Sequence, residues 1–281
     1  MTENQYPVVL TVDGPDAGNQ AIVDANVTVV NAMYQALLNA EEIAPNALRS
    51  YFVDFYLTQA LDGGFAQYVL MTPDRDELDK YIRDGFEGMG ATLHLELFNR
   101  TVEHFDALSA DDSDAYLDGD LGDDERGLSE AVQAMEQLDG EFDDLLDAED
   151  ITILSAAWLR SQDGVLFLDD EALVAHIAGR VALIPNLDER RAEADEAELE
   201  NTPEFEAIIE ELCAVAGHEL VKITMGDPNF EHNGETVLAW HFTTNRGDFI
   251  MVEEDEEAFV INPESKEIIA TVEFEDEFAD A

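Results

Sequence analysis

Leu48-Arg49-Ser50-Tyr51-Phe52-Val53-Asp54-Phe55-Tyr56 decides the fold class, because Leu48, Phe52, Phe55 and Tyr56 recur at the spacing of one helical face. Upstream, Val27, Val30, Tyr34, Leu37 and Leu38 make a similar stripe; downstream, Phe98, Val102, Phe105 and Leu108 make another. Stripes this rich in aromatic residues are core faces, so a helical domain is expected. Before them, Tyr6 to Val12 alternates Val8, Leu10 and Val12 and stops at Asp13-Gly14-Pro15, which reads as a short strand and turn. After them, Ser109 to Gly127 holds too many like charges and small residues for a core element and reads as a mobile loop. Helical spacing resumes with Leu128, Val132, Met135 and Leu138, then with Ile151, Leu154 and Trp158. Val165-Leu166-Phe167-Leu168 reads as a short extended piece leading into a helix marked by Leu173, Ile177 and Val181.

The run Asp188 to Asn201 is helical by propensity but has almost no apolar stripe, so it is expected to connect two domains. Beyond it, Thr202-Pro203-Glu204 marks a helix start with Thr202 as N-cap, Phe205, Ile208, Ile209, Leu212, Cys213 and Ala216 form the buried face, and Gly217 ends it. Strand-like runs follow at Leu220 to Met225, Thr236 to Thr243, Phe249 to Glu253, Phe259 to Ile261 and Ile268 to Phe274. The turns are expected at Gly226-Asp227-Pro228, Asn233-Gly234, Asn245-Arg246-Gly247 and Asn262-Pro263. The expected architecture is a mainly α N-terminal domain over residues 1–187, an acidic helical linker over 188–201, and a small α+β domain with an antiparallel sheet over 202–281.

Composition narrows the function. The 281 residues include 66 Asp and Glu against 13 Lys and Arg, a formal net charge of -53. Such charge with little apolar content would mean disorder, but 46% of the residues are hydrophobic and 15 are Phe, enough to build cores. A compact chain of this mass exposes on the order of 12,000 Å², or roughly one net charge per 230 Å². Duplex DNA carries one per about 110 Å². Direct nucleic-acid binding is excluded, because Lys80, Lys222, Lys266 and the arginines form no patch able to neutralise several phosphates. A lone Cys213 allows no internal disulfide, the Met1-Thr2-Glu3-Asn4 start is not a secretory leader, and no apolar run reaches the ~18 residues of a membrane span. Cytoplasm is the expected location, and an anionic membrane would repel the protein.

The stretch Asp62-Gly63-Gly64-Phe65-Ala66-Gln67-Tyr68 resembles the Asn-Gly-Gly-Phe-x-Gln-Tyr signature of an all-helical bacterial family that includes a small acidic DNA mimic. Gly88-Met89-Gly90-Ala91 and Leu138-Asp139-Gly140-Glu141-Phe142-Asp143-Asp144-Leu145-Leu146 extend the likeness over residues 24–165. Asp62 stands in place of the usual Asn, and Val69-Leu70 where an aromatic is expected. In physical terms the glycine pair lets the helix stop in a left-handed conformation, Phe65 tucks beneath it and Gln67 satisfies backbone groups. The resemblance implies a homodimeric helical domain whose acidic surface occupies the DNA-reading face of a helix-turn-helix regulator.

Acid spacing gives the candidate contacts. In a helix, Glu189, Glu193, Glu196 and Glu200 fall on one stripe with a carboxylate about every 5.5 Å of rise, an interval of the same order as phosphates along a strand. Like charges so placed cost roughly 0.2–0.5 kcal/mol per pair, which binding or high salt would offset. Glu141, Asp143, Asp144 and Asp147, continuing to Glu149 and Asp150, form a second dense set, and Glu253-Glu254-Asp255-Glu256-Glu257 a third. The expected partner is a basic DNA-binding protein, either a helix-turn-helix regulator or a nucleoid protein.

Catalytic and metal patterns are missing. A calcium loop centred on Gly119 would place Tyr116 where a ligand oxygen is required. The six histidines form no HExxH, and no P-loop, dinucleotide fingerprint or nucleophile elbow occurs. Gly85, Gly88 and Gly90 have the wrong order for a phosphate loop, and Cys213 reads as a buried structural thiol. No cofactor, metal or catalytic residue is expected. Two other readings stand beside the mimic. Salt adaptation fits acids spread along the whole chain with ten arginines to three lysines; an enzyme or immunity module would use Trp240, His241 and Asp248 as a cleft.

Overall fold

The computed structural model describes residues 6–12, 14–118, 129–232, 234–254 and 257–273. The chain forms two compact units, 1–187 and 188–281. The first is helical and the second carries a five-stranded antiparallel sheet, so the mainly α plus α+β architecture read from the sequence is the one observed.

In the first unit, β1 (Val9–Leu10) pairs in parallel with β2 (Leu166–Phe167). Between them in the chain run α1 (Asn19–Gln35), α2 (Pro45–Met71), α3 (Asp76–Met89), α4 (Thr92–Asp106), α5 (Ala110–Leu117), α6 (Glu130–Leu146) and α7 (Ile151–Arg160); α8 (Asp170–Val181) follows β2. One core gathers β1, α1, the start of α2, Ala156 and Leu159 of α7, and Leu173 of α8. The other gathers the rest of α2 with α3 to α6. At its centre Tyr56 meets Tyr68, Phe86, Phe98 and Phe142 edge-on, with centroids 5.3, 6.1, 4.9 and 6.0 Å away. One aromatic ring thus joins α2 to α3, α4 and α6 in the geometry that ring quadrupoles favour.

Hydroxyl and carboxylate caps set the helix starts. Ser109, Ser129, Asp150 and Asp169 each accept the amide proton three residues on, opening α5, α6, α7 and α8. This is why Ser109 to Leu117 is a helix where a mobile loop is expected. Ser109 caps it, Asp111 and Asp112 sit in the first turn where the helix dipole favours negative charge, and Tyr116 is buried. The rest of that acidic stretch, from Gly119, lies outside the described residues. The α1 stripe is also shorter than its sequence pattern, since the helix ends at Gln35 and Leu37 has a φ of 67°.

The second unit opens with α9 (Leu187–Asn201) and α10 (Glu204–Ala216) and continues through β3 (Leu220–His232), β4 (Glu235–Thr244), β5 (Gly247–Glu254), β6 (Glu257–Ile261) and β7 (Ile268–Glu273). The strands lie in sequence order, as successive hairpins dictate. α10 starts one residue later than the Thr202 cap implies, with Pro203 as its N-cap, and ends at Gly217 in the left-handed region as expected. Its Ile208, Ile209, Leu212 and Cys213 cover one sheet face together with Phe242, Phe249, Met251 and Val260. Gly226-Asp227-Pro228 is not a turn. It lies inside β3, whose pairing with β4 shifts register between Asp227 and Phe230, while the Asp227 carboxylate accepts the Asn229 amide. Turn-forming residues here make a bulge in an edge strand, a setting that tolerates proline.

Gly85 and Gly88 of α3 are packing devices. A Cβ on Gly85 would lie 2.7 Å from a Val53 methyl and 2.8 Å from the Arg49 carbonyl oxygen, and one on Gly88 would lie 2.5 Å from the Trp158 ring. Gly140 of α6 has open space around it. Gly85→Ala should therefore destabilise the protein by about 1–3 kcal/mol through overpacking. Gly140→Ala should stabilise it by roughly 0.5–1 kcal/mol through helix propensity. Urea unfolding followed by circular dichroism checks both signs.

Candidate partner-binding surface

The arrangement of the acidic groups starts at the break in α2. Gly64 has a φ of 67°, so the helix is interrupted and restarts at once. The Asp139 carboxylate of α6 fills the break. Its Oδ1 accepts the Phe65 amide at 2.9 Å, and its Oδ2 accepts the Tyr116 hydroxyl at 2.7 Å. A Cβ on Gly64 would sit 3.0 Å from that carboxylate, so glycine is required here on two counts. Phe65 is buried beneath the break, as expected. The group that answers the backbone is Asp139, not Gln67.

Tyr68, one turn on, is fully buried and donates its hydroxyl to Asp79 at 2.8 Å. Asp79 also receives Arg75 at 2.5 Å and Arg83 at 3.4 Å, and Arg75 reaches on to Asp106 while its guanidinium lies over the Phe65 and Phe105 rings. Burial raises the pKa of both Asp79 and Asp139. The phenol hydrogen bond and the arginines around Asp79, and the amide and phenol hydrogen bonds at Asp139, pull the other way without reversing the shift. These two carboxylates are structural, and composition alone hides them among 66 acids.

Past Asp139, α6 turns its acids outward. Asp143, Asp144 and Asp147 are exposed, while Glu141 is half-buried and bound to Arg100 at 2.5 Å. Of the residues that continue this run, Glu149 accepts the Leu93 and His94 amides at the start of α4, and Asp150 caps α7. Of the acids expected as contacts here, Asp143 and Asp144 of α6 and Asp147 at its C-cap face solvent. On α9 the helix is present, and Glu189, Glu193 and Glu196 are exposed along it. Glu200 belongs to the same helix, with its side chain outside the described residues. The α6 set lies in the first unit and the α9 set in the second. In the third acidic run, Asp255 and Glu256 fall outside the described residues.

The Trp240, His241 and Asp248 cleft is not formed. Neighbours in a strand face opposite ways, and Trp240 stacks on Phe205 of α10 while His241 meets Phe230 on the other face. Asp248, whose pairing partner is Thr243, accepts that residue's hydroxyl at 2.8 Å. Cys213 is buried, as expected. Among the described residues no group of three or more His, Cys, Asp or Glu is arranged to hold a metal ion, and no helix is long and apolar enough to cross a membrane.

The molecule is thus an acidic helical unit joined to a small α+β unit, with outward carboxylates on α6 and α9. Residues 41–162 match the family model described as DMP19-like protein. The match lies inside the stretch carrying the sequence resemblance and contains the α2 break, Asp79, Asp139 and the α6 acids. No curated protein and no solved structure matches the chain.

Both shifted acids make stability depend on pH. A carboxyl whose folded pKa exceeds its unfolded value binds its proton more tightly in the native state, so its contribution is full below the unfolded value and is lost as pH rises through the folded one. The stability contributed by these two carboxyls should therefore decline as pH rises above the unfolded carboxyl pKa of about 4, while His94 and His176, whose pKa values burial lowers, contribute in the opposite direction as pH rises toward the histidine value. Asp139→Asn should make that dependence shallower. Asp139→Ala should lower stability by about 1–3 kcal/mol by stranding the Phe65 amide and the Tyr116 hydroxyl. Melting curves of the three proteins across that range provide the check.

Proposed function

We propose that this protein acts by binding and not by catalysis: its outward carboxylates take the place of DNA phosphates on the basic surface of a DNA-binding protein, a helix-turn-helix regulator or a nucleoid protein, and so exclude DNA. The observation that carries the reading is the DMP19-like match over residues 41–162, the family of the DNA-mimic resemblance. The proposed contacts inside the match are Asp143 and Asp144 of α6 and Asp147 at its C-cap, with Glu141 beside them bound to Arg100. Glu189, Glu193, Glu196 and Glu200 of α9 are a second proposed set, carried by the other unit.

Average charge does not suffice for mimicry. The surface is 16812 Å², and 53 net charges spread over it give about 320 Å² per charge. That is sparser than the compact estimate of roughly 230 Å² and about threefold sparser than duplex DNA. Only local sets can approach phosphate density, which directs attention to the α6 and α9 helices. Salt adaptation is the second reading, and exposed carboxylates such as Asp76, Glu77, Glu219, Glu264 and Glu267, spread over both units, favour it.

The test is capture on the immobilised full-length chain from a lysate of its source, followed by elution with duplex DNA. DNA-binding proteins should be retained and displaced by DNA, with retention falling steeply as salt rises. The combined change Asp143→Asn, Asp144→Asn and Asp147→Asn should reduce capture at least about tenfold, equivalent to roughly 1.4 kcal/mol. Retention of no DNA-binding protein, or retention indifferent to DNA, would leave salt adaptation as the better account.

A further inference from the structure

In the second unit a groove of about 610 Å³ runs between α10 and β3, lined by Phe205, Glu206 and Glu210 on one side, Val221 and Met225 on the other, and Trp240 at its base. Three of its properties bear on what could occupy it. Its base is rigid, because the Trp240 ring stacks on Phe205 at 3.7 Å and 7°, and a Cβ on Gly226 would stand only 3.2 Å from that ring. Its strand wall is mixed: Val221 is 62% exposed there beside Lys222 and Thr224, whereas Met225, paired with His241, turns its side chain to the sheet face opposite Trp240. Its helix wall is anionic, since Glu206 and Glu210 lie one turn apart, about 6 Å along the helix axis. Lys222 also lines the groove.

β3 is an edge strand, but it is poorly suited to accepting another strand. Its pairing shifts register at Leu220/Lys222, Ile223/Met225 and Asp227/Phe230, and it carries Lys222 and Pro228. Bulges, lysine and proline are the features that block edge addition. An occupant is therefore held by its side chains. A second copy of this chain is disfavoured, because each copy carries a net charge of -53 and like fields repel. Carboxylates beside exposed aliphatic and aromatic surface instead match side chains that join an apolar stem to a cationic head.

We propose that this groove binds a cationic peptide segment of a partner, with arginine or lysine heads on Glu206 and Glu210 and aliphatic residues against Val221 and Phe205. The groove uses none of the α6 and α9 acids proposed to stand in for DNA phosphates. Its failure would leave the proposed DNA exclusion untouched, and the reverse is also true.

The test uses the full chain, with the Trp240 indole N–H followed by nuclear magnetic resonance and distinguished from Trp158 by Trp240→Phe. A capped peptide of alternating arginine and leucine is titrated against one of alternating arginine and glycine. The leucine peptide should move the Trp240 signal saturably and bind at least about fivefold more tightly, since charge is equal and only apolar contact differs. Glu206→Gln with Glu210→Gln should weaken it about fivefold, the scale of two exposed ion pairs. Glu189→Gln with Glu193→Gln on α9 should change it less than about twofold, being outside the groove. Equal affinity for the two peptides, or binding that leaves the Trp240 signal in place, would overturn the proposal. So would indifference to the Glu206 and Glu210 changes, or a Trp240 signal that moves with protein concentration alone, which would make a second copy the occupant.

Discussion

The first unit depends on a carboxylate placed where a helix breaks. Asp139 closes the gap at Gly64 by accepting the Phe65 amide, and its other oxygen holds Tyr116 of α5. Without an acceptor there, a backbone donor next to a buried phenylalanine would go unanswered, a penalty larger than the net gain of an ordinary hydrogen bond. The restart of α2 directs Phe65 and Tyr68 inward, where Tyr68 meets Tyr56 and Asp79. The aromatic centre, the arginine pair on Asp79 and the docking of α5 all follow from the direction set at that break.

Much of this fold was legible because apolar periodicity reports burial directly. Leu48, Tyr56, Phe98 and Val102 stand in the core, and the alternating runs after Gly217 became the strands. The errors share one cause, since local chemistry has more than one structural outcome and long-range contacts choose among them. Ser109 and two aspartates can begin a loop or a helix, and burial of Tyr116 selected the helix. Gly226-Asp227-Pro228 can turn a chain or bulge a strand, and pairing with β4 selected the bulge. The candidate surface was less legible. Charge runs mark where acids are but not which have structural duties, so Glu141, Glu149 and Asp150 could not be told from Asp143, Asp144 and Asp147 until their partners Arg100, Leu93 and Ile153 were placed.

The chain distributes its carboxylates among three kinds of setting. Some cap helices, where the dipole favours a negative charge. A few are buried among phenols and guanidinium groups, as Asp79 is. Many of the remainder face solvent and repel one another, a load that grows as salt is removed. With so few cations available, arginine is placed where one side chain serves several acceptors. Arg75 joins Asp79 to Asp106, and Arg160 gathers the Pro15 and Ala17 carbonyls and the Asn19 side chain.

The short parallel pairing of Val9 and Leu10 with Leu166 and Phe167 has a temporal consequence. Two segments separated by nearly the whole first unit must meet before its outer layer is complete, and so distant a closure is entropically slow to form. On the ribosome, the helices between them can assemble as they emerge. The segment at Val9 must wait for residue 167 to clear the exit tunnel, so closure of this unit is timed by the synthesis of its last strand.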